Sequence, residues 1–317
     1  MKRWLFPGAI ALLVLVYPVL VDGQPVYQRL GALVLLAAIG ASAWNIVGGY
    51  AGQVSVGHAV FFGFGAYASV VVYTHLEWPP IAGAPLGMAL SVLLAAVIGV
   101  PTLRLSGHYF SMATIAVGEL VRVLSSTSEF LGGAQGLGGP AMPRTVFDLS
   151  FISAMPFYYI FLAVLVFLLG LTWWIEHGRM GFYLRAIKDS ERAARSLGVS
   201  SGRYKLYAYM LSGAFTSLAG SLYLCMFGFV DPESGFGILI SVKMVVMAAL
   251  GGAGHLFGPL VGALILVPLE ELSNSLLGGQ GAGLTFVVYG AIIVIIARFL
   301  PSGLLSLLER RKVTRAD

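Results

Sequence analysis

The chain has one cysteine, Cys225, set in an apolar run, so an intrachain disulfide is excluded and no thiolate metal cluster can form. Charge is also scarce: 10% of residues are Asp, Glu, Lys or Arg, against roughly 25% in a soluble domain. No Gly-x-x-x-x-Gly-Lys-Ser/Thr loop occurs, so the chain has no phosphate cradle of its own. No His, Cys or carboxylate group has metal-ligand spacing, and there is no Gly-x-Ser-x-Gly elbow; no catalytic residue, metal site or cofactor is assigned. Acids do not recur along several apolar segments, as a proton-coupled carrier would suggest. The formal charge of +5 sits in loops and tails and is not a nucleic-acid footprint.

What is present is apolar length. Hydrophobic residues make up 58% of the chain, and runs of about 20 of them recur, enough to cross a hydrocarbon core of about 30 Å. The windows 4–21, 30–47, 56–75, 86–104, 107–128, 155–175, 206–229, 237–252, 257–276 and 284–300 predict an all-α polytopic membrane protein. About ten crossings are expected, within a range of 8 to 11 because two windows are glycine-broken. The start, Lys2-Arg3 before apolar residues, resembles a signal peptide, but Val21-Asp22-Gly23-Gln24 offers no small-residue cleavage pattern, so a retained first span is expected. Residues 1–317 then form one transmembrane domain, with an external loop at 129–154 and a tail at 301–317.

Between two apolar segments, 176–205 is a basic island. It carries Arg179, Arg185, Lys188, Arg192, Arg195, Arg203 and Lys205 against Glu176, Asp189 and Glu191. That charge density belongs in water. Fifteen basic residues, these seven included, fall on one side of the ten-span scheme and only Arg29 and Arg144 on the other, which predicts cytoplasmic termini and a cytoplasmic 176–205 loop. Within the loop, 189–198 reads as a short docking helix. Asp189 is its expected N-cap, Glu191 and Arg195 pair at i,i+4, Gly198 closes it, and the small Ala193 and Ala194 leave room for a neighbour's groove.

Two glycine-rich windows interrupt the spans. One holds Gly49, Gly52 and Gly57 with Gln53, Ser55 and His58; the other holds Gly251, Gly252, Gly254, Gly258 and Pro259. Non-helical backbone at membrane depth survives only inside protein or beside a water-filled cavity, and breaks in matching places of two halves point to a translocation path. Each window also reads as a cytoplasmic hairpin turn between adjacent helices. Glu119 and Arg122 lie three apart, as a structural staple or a pathway pair; His58 and His108 read as hydrogen-bonded packing residues. The stretch 131–140 reads as a solvated linker or as a surface meeting an external partner.

Five strings, 49–69, 107–122, 132–140, 185–219 and 250–263, carry a resemblance over roughly residues 30–300. The sequence resembles the permease subunits of ATP-binding-cassette importers for branched-chain amino acids, in the second-permease (LivM-like) branch. The resemblance implies that importer permease fold, a bacterial inner-membrane location, and a second, related permease as partner. It further implies two cytoplasmic ATPase subunits that bind the ATP and magnesium, and a periplasmic solute-binding protein. It also implies that 185–199, with Arg185, Asp189, Glu191, Arg192, Ala193, Ala194, Arg195 and Gly198, couples the chain to the ATPases. The chain departs from the pattern at Arg192, where such loops often carry a glutamate, and at Lys243, where many relatives have an acid or a neutral residue. The expected path runs along Gln53, Ser55, His58, Tyr109, Thr114 and Glu119. Rival readings are a permease for urea, amides or aromatic acids, or an autonomous carrier or channel.

Overall fold

A computed structural model describes residues 14–105, 107–139, 149, 151, 153–276, 290–291, 298 and 303–305. The expected window 284–300, the tail 301–317, most of the first window and much of the external loop beyond Gly139 therefore lie outside the described residues. Eleven helices are labelled here: α1 Pro25–Asn45, α2 Ala59–Leu76, α3 Gly83–Thr102, α4 His108–Thr127, α5 Met155–His177, α6 Arg179–Asp189, α7 Glu191–Ser196, α8 Ser201–Phe227, α9 Pro232–Phe236, α10 Ile238–Gly251 and α11 Gly258–Leu276.

Six helical segments among the described residues are long and apolar enough to cross a membrane: Pro25–Tyr50, Ala59–Leu76, Pro80–Thr102, Met155–His177, Ser201–Phe227 and Pro232–Gly251. The windows 107–128 and 257–276 also form helices, α4 and α11, which are not among the six. Most of the α1 segment is enclosed, 83% of it buried, whereas only 28% of the α3 segment is, so α1 lies inside the bundle and α3 on its flank.

Small residues set the packing. At the crossing of α2 and α8, a Cβ added to Gly65 would overlap the Ser217 carbonyl oxygen, and one on Gly220 would overlap that of Phe62. Ser221 Oγ donates to Gly65 O at 2.9 Å across the same contact. The two backbones are thus in near contact, the arrangement by which helices associate where lipid removes the hydrophobic driving force. Gly262 against the Met247 carbonyl does the same between α10 and α11.

The glycine stretch after α4 is built structure, not a solvated linker, as far as it is described. Short 3₁₀ turns at Glu129–Leu131 and Gly133–Gln135 lead into strand β1, Leu137–Gly138, which pairs antiparallel with β2, Phe229–Val230. The segments 129–139 and 228–236 therefore meet at one end of the bundle.

Candidate functional site

The break after α1 begins as a π-helical turn, Ile46–Tyr50, and continues as irregular backbone to His58. Much of it is buried, so its freed N–H and C=O groups need partners. Side chains supply them. Trp44 Nε1 donates to Ser55 O at 2.7 Å, Ser111 Oγ to Val54 O at 2.6 Å, and Val56 N to Thr114 Oγ1 at 3.2 Å. Ala59 N donates to Ser241 Oγ at 2.7 Å. A π turn is rare and frequently marks a functional position in a helix.

The second glycine window folds onto the first. Asn45 Nδ2 donates to His255 O at 3.1 Å while its Oδ1 accepts from Gly254 N at 2.8 Å, so one amide clamps the turn between α10 and α11. A Cβ on Gly49 would lie 2.5 Å from Gly254 N; only glycine permits that approach. The two windows, whose sequences match weakly, meet at one end of the bundle.

The basic loop grips that junction. Lys188 Nζ donates to Gly49 O at 2.8 Å, and Gly254 packs close to the same ammonium. Glu176 accepts from Tyr50 Oη at 3.3 Å and pairs with Arg185, so α5, α6 and the π turn are tied together. Beyond α6, Glu191 pairs with Lys205 at 2.5 Å at the base of α8 and with Arg195 at 2.5 Å on its own helix. Arg195 Nε donates to Ser201 Oγ, which donates to Glu191 at 2.9 Å. The Lys205 side chain is 2% exposed. Burial alone raises the pKa of Glu191, but hydrogen bonds from Lys205 and Ser201 and the charges of Lys205 and Arg195 outweigh it and hold the carboxyl below its usual range.

The docking helix differs in detail from its expectation. Asp189 ends α6, and the N-cap of α7 is Ser190, whose Oγ accepts from Ala193 N at 3.4 Å. Ser190 has extended backbone, which breaks the expected single element into two helices. Gly198, at φ +83°, closes α7 as expected: its N–H donates to Arg195 O at 2.9 Å and Val199 N–H to Ala194 O at 3.0 Å, the paired bonds of a Schellman ending. Ala193 faces out, but Ala194 is buried within this chain, so only the first of the two alanines is free for a neighbour. Arg192 and Leu197 are exposed, Leu197 at 85%.

The expected path residues divide into two sets. Ser55, His58 and Thr114 are buried in the lattice described above. His58 Nε2 lies 2.8 Å from Ser212 Oγ; that hydroxyl spends its proton on Ala43 O, so Nε2 carries the hydrogen, and the ring packs edge-on against Phe61 and Tyr209. Gln53 is half-buried beside them. Tyr109 and Glu119 instead stand on the exposed face of α4, along with His108, Met112 and Leu120. There Arg122 holds Glu119 with two donors, at 2.5 and 2.9 Å, and reaches Glu233 beyond the β1–β2 pair at 3.4 Å.

Sequence reading missed Asn45 and Lys188. Asn45 is an amide within an apolar run, a signal that was available. Lys188 is one of seven basic residues in its loop, and nothing in the sequence singles it out.

Six membrane-length helices, polar side chains closing two helix breaks, and a basic loop bonded to the first of them describe a multi-pass membrane protein. Residues 28–297 match the family described as branched-chain amino acid transport system / permease component, and the chain belongs to that family. It is 28% identical to the high-affinity branched-chain amino acid transport system permease protein LivM of Escherichia coli, over 96% of this chain and 75% of that protein. It is 26% identical to the permease protein BraD of Pseudomonas aeruginosa, over 89% of this chain and 94% of that one. A solved chain of PsaBC from Streptococcus pneumoniae in complex with Fab aligns over 92% of this chain and 96% of that one. The two are 17% identical, with a TM-score of 0.46.

Proposed function

We propose that this chain is a permease subunit of an ATP-binding-cassette importer in a bacterial inner membrane and, with a second related permease, forms the path for amino acids, the branched-chain ones foremost. A periplasmic binding protein delivers solute at the end formed by 129–139 and 228–236. Two ATPase subunits on the cytoplasmic side bind ATP and magnesium and drive α6 and α7. The exposed face of α4, with Tyr109 and Glu119, borders the path, and the second permease supplies its other wall.

The observation that carries this reading is the bonded route from α6 and α7 to the π turn and, through Asn45, on to the second break. Any displacement of α7 acts through Glu191 on α8, and through α6, by Lys188 and Arg185, on the π turn. Rigid secondary elements and hydrogen-bond networks of this kind carry coupling between distant sites.

The test uses Arg192→Glu and Leu197→Glu, because both side chains are exposed and neither is bound internally in the way Arg195 is. Co-purification of the ATPase subunits and ATP-dependent uptake should fall sharply, while thermal stability stays within about 0.5 kcal/mol, the usual range for surface substitutions. Unchanged co-purification and uptake would refute the docking role. Gradient-driven uptake by the chain alone in proteoliposomes would favour an autonomous carrier.

A further inference from the structure

A cavity of about 530 Å³ lies between α1, α8, α10 and α11. Its place follows from the chain. α8 starts at Ser201 beside α7 and runs 27 residues, about 40 Å at 1.5 Å per residue, before reaching Phe227 in the cavity wall. The cavity therefore sits at the end remote from the basic loop, below the β1–β2 pair. Its size falls in the range of small-molecule sites, roughly 300–1,000 Å³.

Most of the wall is apolar, from residues such as Phe62, Phe227 and Met244. Into it project Lys243 of α10 and Glu270 of α11, which form an ion pair across the two helices; their side chains are 34% and 20% exposed. Among the described residues, the other charged groups facing the cavity are Asp231, which caps α9 through Ser234, and Glu233, which Arg122 reaches. An ion pair in apolar surroundings contributes little net stability, because desolvation offsets its attraction. Packing does not explain its placement, and ionisable groups at membrane depth mark functional sites by default.

The chemistry selects the ligand. An ammonium and a carboxylate side by side offer complementary partners to a molecule that carries both charges on adjacent atoms. A free α-amino acid does so, and its aliphatic side chain would meet the apolar wall. Inserted between Lys243 and Glu270, it exchanges one internal pair for two ligand contacts and keeps the charges balanced. We infer that this cavity binds a free α-amino acid with an apolar side chain, Lys243 holding the carboxylate and Glu270 the ammonium. The choice of amino acid rests on the transport reading above; the site itself is testable without transport.

The test is equilibrium binding of radiolabelled L-leucine to the full chain in nanodiscs of phosphatidylglycerol and phosphatidylcholine. Saturable binding is expected, with isocaproate and isoamylamine, which each lack one charge, competing at least about tenfold more weakly, the scale of one lost charged hydrogen bond. Lys243→Met and Glu270→Gln should each weaken leucine by a similar factor, and the exchange Lys243→Glu with Glu270→Lys should restore it, which separates charge from folding. Gly40→Val should weaken binding with the ion pair intact, since a Cβ there meets only the flexible end of Met244, at 3.0 Å, and the added methyls occupy the cavity. Equal leucine affinity in wild type and all these variants would overturn the inference. So would co-purified phosphatidylethanolamine, whose headgroup also joins an ammonium to an anion, that leucine does not displace. ATP-driven leucine uptake unaltered by Lys243→Met would sink the site and leave the transport reading standing; leucine binding without any uptake would do the reverse.

Discussion

The two ends of α8 are built in opposite ways. At its start, Lys205 is locked against Glu191, and the neighbouring breaks are closed by Asn45, Trp44, Lys188 and a set of hydroxyls, each within hydrogen-bond distance of backbone. At its finish, Phe227 borders an open cavity, and the chain leaves through a two-residue strand pair. The difference teaches where stiffness and space are needed. Irregular backbone inside a membrane protein needs hydrogen-bond partners, so the broken end is densely cross-bonded. The intact helices at the other end satisfy themselves and leave room between their side chains.

This contrast can be broken by substitution. The largest effect is expected at Glu191→Gln, which strips Lys205, 2% exposed, of its counter-charge; such a loss costs about 3–5 kcal/mol in a fully buried pair and less here, where Glu191 is 28% exposed. Lys205→Met, which removes the buried charge and leaves Glu191 with Arg195 and Ser201, should cost less, and denaturation in detergent compares the two. The same carboxylate sets a pH signature. Its folded pKa lies below the ordinary 4.5, so its stabilisation is present above that value and is lost as the pH falls through the lower folded one. An acid-side loss of stability of equal size in wild type and Glu191→Gln would refute that assignment.

A smaller effect separates the two ends directly. Gly49→Ala places a Cβ on the Asn45 amide and 2.5 Å from Gly254 N, backbone that cannot retreat, and should cost about 1–3 kcal/mol. Gly40→Ala beside the cavity meets only Met244 Cε and gains helix propensity, so it should be neutral or stabilising by up to about 1 kcal/mol. Similar melting temperatures for both would erase the distinction drawn between the ends. The smallest effect is at the cap of α7: Ser190→Ala should cost about 1 kcal/mol and Asp189→Ala less. The reverse order would return the cap to Asp189.

Much of this was legible in the chain. The runs near 30–47, 56–75 and 206–229 read as helices, because a span of about 20 apolar residues satisfies its own backbone in lipid only as a helix. The closure of α7 at Gly198 and the Glu191–Arg195 pair followed from local rules of helix ends and i,i+4 spacing. The start of the same helix did not, because Asp189 and Ser190 are both good caps and the choice depends on where α6 stops. The Glu119–Arg122 pair was legible, while its link to Glu233, 111 positions further on, was not. Lys243 was visible as a charge in an apolar segment and Glu270 as one near a helix end, but their pairing depends on how α10 lies against α11.

The sequence by itself determined that this is a helical membrane chain with a water-facing basic loop and two glycine-weakened helices, since these rest on composition and short spacing. Only the tertiary structure decided that the two weak points touch each other, that Lys188 and Asn45 hold them together, and that Lys243 and Glu270 pair in the wall of a cavity. Such contacts join residues up to 210 positions apart. Their geometry comes from how whole helices cross, and that depends on every small residue at the crossings at once.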